Sequence, residues 1–163
     1  MHQYKIISWN VNGLRSPSMS LLNKGKIKSL NPDSNFSKLI NELDPDIICL
    51  GETKCQVKNE EELSTILPYK YTIWNSSTEK LGYSGVAVFS KIPFKDLGNI
   101  PGLEDDKQGR FLFLEFEKFY LINVYVPNTG SGRDEYRKNI WNPSIFNILN
   151  SHKDKKKTTN LLW

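Results

Sequence analysis

The chain has 163 residues, 38% hydrophobic and 25% charged, which fits one globular domain and argues against general disorder. A formal charge of +4 is compatible with a phosphate-bearing partner such as nucleic acid, and no apolar stretch is long enough to cross a bilayer. Cys49 sits inside an apolar run and Cys55 follows a lysine, a pattern of neither disulfide framework nor metal ligands. With no export signal, the expected location is a reducing one, cytoplasmic and nucleoid-associated or nuclear.

Short apolar runs rich in β-branched and aromatic residues predict strands at 5–11, 46–51, 71–75, 85–90, 110–116 and 119–126. Between the first two strands, residues 34–43 carry apolar side chains at helical spacing, with cap-competent residues before them and Pro45 after. Residues 16–33, with Ser, Pro, Asn and three lysines, predict an exposed loop with a short helical piece. Further helices are expected at 59–67 and at 132–151, the latter interrupted at Pro143. Glu117-Lys118 reads as a tight hairpin that makes the last two strands antiparallel neighbours. The lysine-rich run 152–157 reads as a solvated turn. Strands alternating with helices and joined by hairpins give an α/β (α+β) class, with one mixed, mostly antiparallel sheet and helices on one face.

Polar groups follow three of these strands directly, where a strand delivers side chains to the rim of a sheet. Asn10, Asn12 and Glu52 bring one carboxylate and two amide oxygens beyond two neighbouring strands, a donor set for a hard cation such as Mg²⁺. The same residues also fit a simple turn, since Asn and Gly tolerate positive φ, with Glu52 as a cap. Tyr125 ends a strand before Pro127-Asn128, and its hydroxyl reads either as a phosphate or water partner or as part of a packing residue. Lys54, Arg15 and Arg110 fall near the same rim, as phosphodiester contacts or as plain surface cations.

Taken in order, the motifs Ser8-Trp9-Asn10-Val11-Asn12-Gly13-Leu14-Arg15, Gly51-Glu52-Thr53-Lys54, Gly82-Tyr83-Ser84-Gly85-Val86, Gly109-Arg110 and Tyr125-Val126-Pro127-Asn128 resemble the exonuclease III-like apurinic/apyrimidinic endonucleases of the endonuclease/exonuclease/phosphatase superfamily. The resemblance runs over 5–157. It implies a metal-dependent phosphodiesterase that cuts double-stranded DNA 5′ to abasic sites, with 3′-exonuclease activity besides. It implies Mg²⁺ or Mn²⁺ at Asn10 and Glu52, with Asn12 and Lys54 beside the metal, and Tyr125 as catalytic residue. Asn128 is implied as a phosphate contact, and Arg15, Tyr83 and Arg110 as residues that grip or probe DNA. Three departures stand out: Gln108 replaces a common Glu before Gly-Arg, a basic residue expected near Ser131 is absent unless a rearranged loop brings Arg133 there, and Asn12 is an amide where some relatives carry a carboxylate.

The resemblance also implies a four-layer α/β/β/α sandwich of two similar halves, of which 1–157 would be the N-terminal half. The family's later Gly-Asp-x-Asn motif and Asp-His pair have no match here, and residues 158–163 read as a divergent end produced by truncation or a frameshift near codons 155–157. Without those proton-handling groups the chain is expected to be nearly inert. The alternative function is accordingly a catalytically silent half-domain that binds DNA or a complementary fragment. One half alone would leave Ile6, Ile48, Val86, Val88 and Leu121 on an uncovered face, open to association. At about 25 cal/mol per Å², several hundred Å² of lost apolar burial costs on the order of ten kcal/mol, as much as a domain's whole stability.

Overall fold

The computed structural model describes residues 3–15, 31–130, 132–152 and 157–163. All six expected strands form: β1 (Ile6–Asn10), β2 (Ile47–Gly51), β3 (Tyr71–Asn75), β4 (Val86–Ser90), β6 (Phe111–Glu115) and β7 (Phe119–Val124). Two more join them, β5 (Lys95–Asp96) and β8 (Thr158–Leu162). The strands divide into two four-stranded sheets, ordered β1-β2-β4-β3 and β5-β6-β7-β8. Only β1-β2 and β7-β8 are parallel, so the mixed, mostly antiparallel α/β expectation holds. The hairpin at 117–118 closes with Phe116 N–H donating to Phe119 O at 2.9 Å.

The single sheet with an uncovered face does not hold, because the two sheets cover each other. Ile47, Cys49, Val86 and Val88 of the first sheet pack against Leu112, Leu114, Phe119 and Leu121 of the second, all buried. Alternation sends Ile48, Leu50, Ala87 and Phe89 to the other side of the first sheet, so Ile48 belongs to the helix layer rather than to the inner face. The second sheet turns Phe111, Phe113, Tyr120 and Ile122 outward onto Trp141, Ile145 and Ile148. Four layers result, helix on sheet on sheet on helix, and strands buried on both faces explain the nearly continuous apolar runs.

Helix α1 (Asn35–Leu43) starts where the Ser34 hydroxyl accepts the Ser37 N–H at 3.0 Å and stops at Asp44, whose left-handed backbone returns its N–H to Ile40 O. Its buried Phe36 and Ile40 cover the first sheet. The expected helix at 59–67 shortens to α2 (Glu60–Leu63), entered by a 3₁₀ turn at Val57–Asn59. On the far side, α3 (Asp134–Tyr136) runs through a wide π turn (Arg137–Trp141) into α4 (Asn142–Ser151). Pro143 falls in the first turn of α4, directly after the π turn, so the expected interruption takes the form of that wider turn rather than a break.

The residues expected to be a divergent end, 158–162, form β8 in register with β7, Phe119 opposite Thr158 and Asn123 opposite Leu162. Leu161 packs toward the helices and Leu162 between the sheets. Lys157 anchors this strand through Glu115 Oε1 at 2.7 Å and Phe116 O at 3.0 Å, so the last residue of the lysine run is paired rather than a solvated turn. The rest of that run, 153–156, and most of the expected loop, 16–30, lie outside the described residues.

Tyr69 ties the connection before β2 to the core, its hydroxyl donating to Pro45 O at 2.7 Å. Burial first, then the Asp44 and Asp46 carboxylates, push this phenol up to about 12. Because the folded value lies above the ordinary one of about 10, its contribution to stability is complete below pH 10 and is lost as the pH rises toward 12. Urea midpoints should fall across that window, and Tyr69→Phe should flatten the fall.

Candidate metal and phosphate site

The loops after β1 and β2 and the one before β4 continue as a backbone ladder beyond the strands. Val11 N–H donates to Gly51 O, Gly13 N–H to Glu52 O, Leu14 N–H to Thr53 O, Thr53 N–H to Gly85 O and Lys54 N–H to Ser84 O, all at 2.7–3.0 Å. The ladder holds Asn12, Glu52, Lys54 and Ser84 in the left-handed region, at φ between 45° and 54° where non-glycine residues are rare. Such strain persists where surrounding structure over-determines it, and it gathers at functional sites. Gly85 is required beside it, because a Cβ there would lie 2.4 Å from Thr53 Oγ1.

The strained turns aim four side chains at one point. Asn10 Nδ2 donates to Glu52 Oε2 at 3.1 Å, and Asn10 Oδ1 accepts the Asn12 N–H at 3.0 Å. The Lys54 ammonium lies 3.0 Å from Glu52 Oε1 and donates to Asn12 Oδ1 at 2.6 Å. An amide and a carboxylate therefore already hold a monovalent cation between them. That observation fits a hard divalent ion at the same oxygens, with Glu52 as its charged anchor. Among the described residues no group of three or more His, Cys, Asp or Glu side chains gathers elsewhere to hold a metal. Cys55 is no competitor, since burial pushes its thiol up to about 11.

Tyr125 follows β7 and so comes from the other sheet. It stands beside Glu52, and burial first, then the Glu52 charge, raise its phenol above the ordinary value. An open cleft of about 280 Å³ runs from this point between the sheets, lined by Trp9, Asn10, Asn123, Tyr125 and Trp163. A cleft of about 330 Å³ lies beyond Arg133, bounded by Glu79, Asp106, Lys107 and Tyr136. It contains neither Asn10 nor Tyr125, both of which line the smaller one, so the chemistry is assigned to the smaller one.

Arg110 is not at the rim as a free cation, being 1% exposed. Its Nε donates to Gln108 Oε1 at 2.8 Å, and its other nitrogens donate to Tyr125 O at 3.2 Å and to the Tyr83 hydroxyl at 2.9 Å. Its guanidinium carbon lies 5.1 Å from the Tyr125 ring centre and 5.5 Å from that of Tyr83. Arg110 thus fixes two tyrosines instead of presenting itself to solvent. The Gln108 amide oxygen accepts from Nε where a carboxylate is expected, and its Nε2 adds a bond to Glu79 Oε2 at 3.1 Å.

Arg133, which the sequence places beyond reach without a rearranged loop, donates directly to the Tyr83 hydroxyl. Burial pushes the Tyr83 phenol up, but the Arg133 and Arg110 guanidiniums together outweigh it and the net shift is downward. Tyr83, Arg133 and Lys80, whose Nζ lies 5.3 Å from the Tyr83 ring centre, make a cationic shelf beside Tyr125. Asn128 is exposed at the same end, its Oδ1 accepting the Gly130 N–H at 3.0 Å and its amide nitrogen left to donate. Arg15 is exposed at the end of the described N-terminal segment, and Ser131 lies outside the described residues.

Sequence reasoning missed the amides that join the sheets beneath this site. Asn123 Nδ2 donates to Leu50 O and Ala87 O, each at 3.1 Å, and Asn75 Nδ2 to Phe111 O at 2.8 Å. The available signal for Asn123 was a lone amide inside the otherwise apolar run of β7.

Comparison with known proteins accords with this geometry. The chain is 40% identical over 138 residues to the DNA repair nuclease APEX1 of Danio rerio, and 37% identical over 149 residues to an exodeoxyribonuclease of Bacillus subtilis. These alignments cover 82% and 89% of this chain but 40% and 52% of the relatives, so the chain spans about half their length. Among solved structures, an AP endonuclease from Leishmania major matches with a TM-score of 0.66 at 26% identity, over 90% of this chain and 47% of that one. A Neisseria 3′ phosphatase bound to product DNA hairpin shares the fold with a TM-score of 0.70 at 22% identity, over 98% and 56% of the two chains. The resemblance to exonuclease III-like nucleases read from the motifs is borne out by these relatives. The model of the Endonuclease/Exonuclease/phosphatase family matches residues 7–154, and the chain belongs to that family.

Proposed function

We propose that this chain builds the metal and phosphate side of a DNA-repair phosphodiesterase, one that hydrolyses the backbone 5′ to an abasic site with Mg²⁺ or Mn²⁺ and, at full length, also degrades 3′ ends. The observation that carries the reading is the meeting of Glu52 and Tyr125 from separate sheets, beside a cation already held by Glu52 and Asn12. The names of the relatives, a DNA repair nuclease and an exodeoxyribonuclease, support the choice of DNA over a small phosphate ester. The reading places the protein with DNA, in the nucleoid or nucleus.

Glu52, with the amide oxygens of Asn10 and Asn12, would hold the divalent ion, which polarises the phosphoryl group and offsets the negative charge of the transition state. With Glu52 so engaged, Lys54 would be left to face the substrate. Tyr125, neutral at physiological pH, donates toward a phosphate oxygen with its ring held by Arg110. Tyr83 and Arg133 receive a neighbouring phosphate, and Asn128 offers one more donor from the exposed loop. Among the described residues, the charged and titratable groups that shift Tyr125 are Glu52, Arg110 and Tyr83, with no imidazole or aspartate among them. His152 packs its ring 4.6 Å from that of Tyr120, on the helix side of the second sheet. With no strong base for the attacking water among the described residues, turnover by this chain is expected to lie about 10²- to 10⁴-fold below that of a site with one.

The test is incision of a duplex with one abasic analogue, against intact duplex and a small phosphate ester, with Mg²⁺ and after its chelation. Slow, Mg²⁺-dependent cutting confined to the abasic duplex is expected. Binding without cutting at any Mg²⁺ concentration would establish the silent half-domain instead, and equal cutting of the small ester would reject DNA as the substrate.

A further inference from the structure

The layer between the sheets is built of apolar side chains, and apolar contacts have no preferred direction. Such a layer resists separation of the sheets but specifies their sliding register weakly. Asn123 is a polar interruption of this layer, 1% exposed, and an amide buried there without partners would cost on the order of 1–3 kcal/mol. It has partners on the opposite sheet: Nδ2 donates to Leu50 O and to Ala87 O, residues paired across β2 and β4. One amide therefore ties β7 to the two central strands of the first sheet, in directions that hydrogen-bond geometry fixes.

Its place in the chain gives the tie a consequence. Tyr125 stands two residues after Asn123 on the second sheet, and Glu52 stands two residues after Leu50 on the first. The two groups of the candidate site that come from different sheets are each one strand repeat from the same clamp. A second amide at the same end, Asn75 to Phe111 O, and the close approach of Gly109, where a Cβ would lie 2.5 Å from Asn75 O, hold the far corner.

We infer that Asn123 is a positioning residue, whose amide sets the register of one sheet on the other so that Tyr125 stands beside Glu52. The inference deepens the phosphodiesterase reading and rests on it for its catalytic meaning, though not for the geometry itself. An amide that merely satisfies itself in the core would affect stability alone.

The experiment compares Asn123→Thr with Asn123→Val in the full chain. The two side chains have the same shape and differ in one hydroxyl donor. The readout is the nuclear Overhauser contact between the Tyr125 ring and the Glu52 side chain, with the Tyr69–Phe89 contact, 6.4 Å between ring centres, as a fold control. The Thr variant should keep the Tyr125–Glu52 contact and the Val variant should lose it, while both keep the control. Where wild-type incision is measurable, kcat of the Val variant should fall by up to about 10²-fold with KM within about twofold, the size of a 1 Å misplacement. A Tyr125–Glu52 contact kept at wild-type strength in the Val variant would overturn the inference. If Asn123→Val does not fold, Asn123→Leu takes its place. In the wild type itself, Asn123 carboxamide protons should exchange far more slowly than those of exposed Asn128, and equal exchange overturns the clamp without any variant. Absence of incision in the wild type would count against the phosphodiesterase reading only, since neither the contact nor the exchange depends on turnover.

Discussion

Glu52→Gln is expected to weaken divalent-cation binding about a hundredfold or more, and with it to lower any incision by about three orders of magnitude. The substitution keeps the shape of the side chain and removes the one carboxylate of the site. It also leaves Lys54 with amide partners alone, so a position where an ammonium and a carboxylate now offset each other becomes net positive and repels a divalent ion. Loss of fold is not the explanation, because the Lys54–Glu52 pair is partly exposed, at 39% and 19%, and such pairs contribute less than about 1 kcal/mol. Mn²⁺ titration followed by electron paramagnetic resonance separates the effects: the wild type should show a saturable site and the variant none, at an unchanged melting temperature. Equal Mn²⁺ affinity in the two proteins would remove Glu52 from the metal site and the proposed mechanism with it.

How far the sequence could be read depends on which information is local. The six expected strands were legible because each is a run rich in β-branched and aromatic residues, and the site was legible because Asn10, Glu52 and Tyr125 end or directly follow such runs. The partition into two sheets was not. Periodicity identifies a strand but not its partner, and strands buried on both faces, such as β2 and β4, show no alternation to mark an inner face. Two-residue β5 carries no pattern at all, and β8, with Thr158, Thr159 and Asn160, resembles a polar end until β7 pairs with it. Burial of Arg110 was illegible for a different reason. Its partners Gln108, Tyr83 and Tyr125 come from three segments, and only the fold brings them around one guanidinium. The same holds for Arg133, whose contact with Tyr83 spans 50 positions.

Tyr125→Phe should lower the single-turnover incision rate about 10²- to 10³-fold, the usual cost of removing one donor aimed at developing charge. Phe keeps the ring, so the stacking on Arg110 and the packing between the sheets survive, and duplex affinity should stay within about twofold of wild type. The pH dependence gives an independent check. Burial first, then the Glu52 charge, hold the phenol above its ordinary value of about 10, so the donor form is complete through neutral pH and is lost only as the pH rises through that elevated value. Wild-type activity should accordingly show no loss from Tyr125 ionisation until above pH 10, and the Phe variant should lack that alkaline limb. A Phe variant as fast as wild type would mean that the hydroxyl only orients Glu52. Catalysis would then have to come from Lys54 and the cationic shelf of Tyr83 and Arg133, and Lys54→Met would become the substitution with the larger loss.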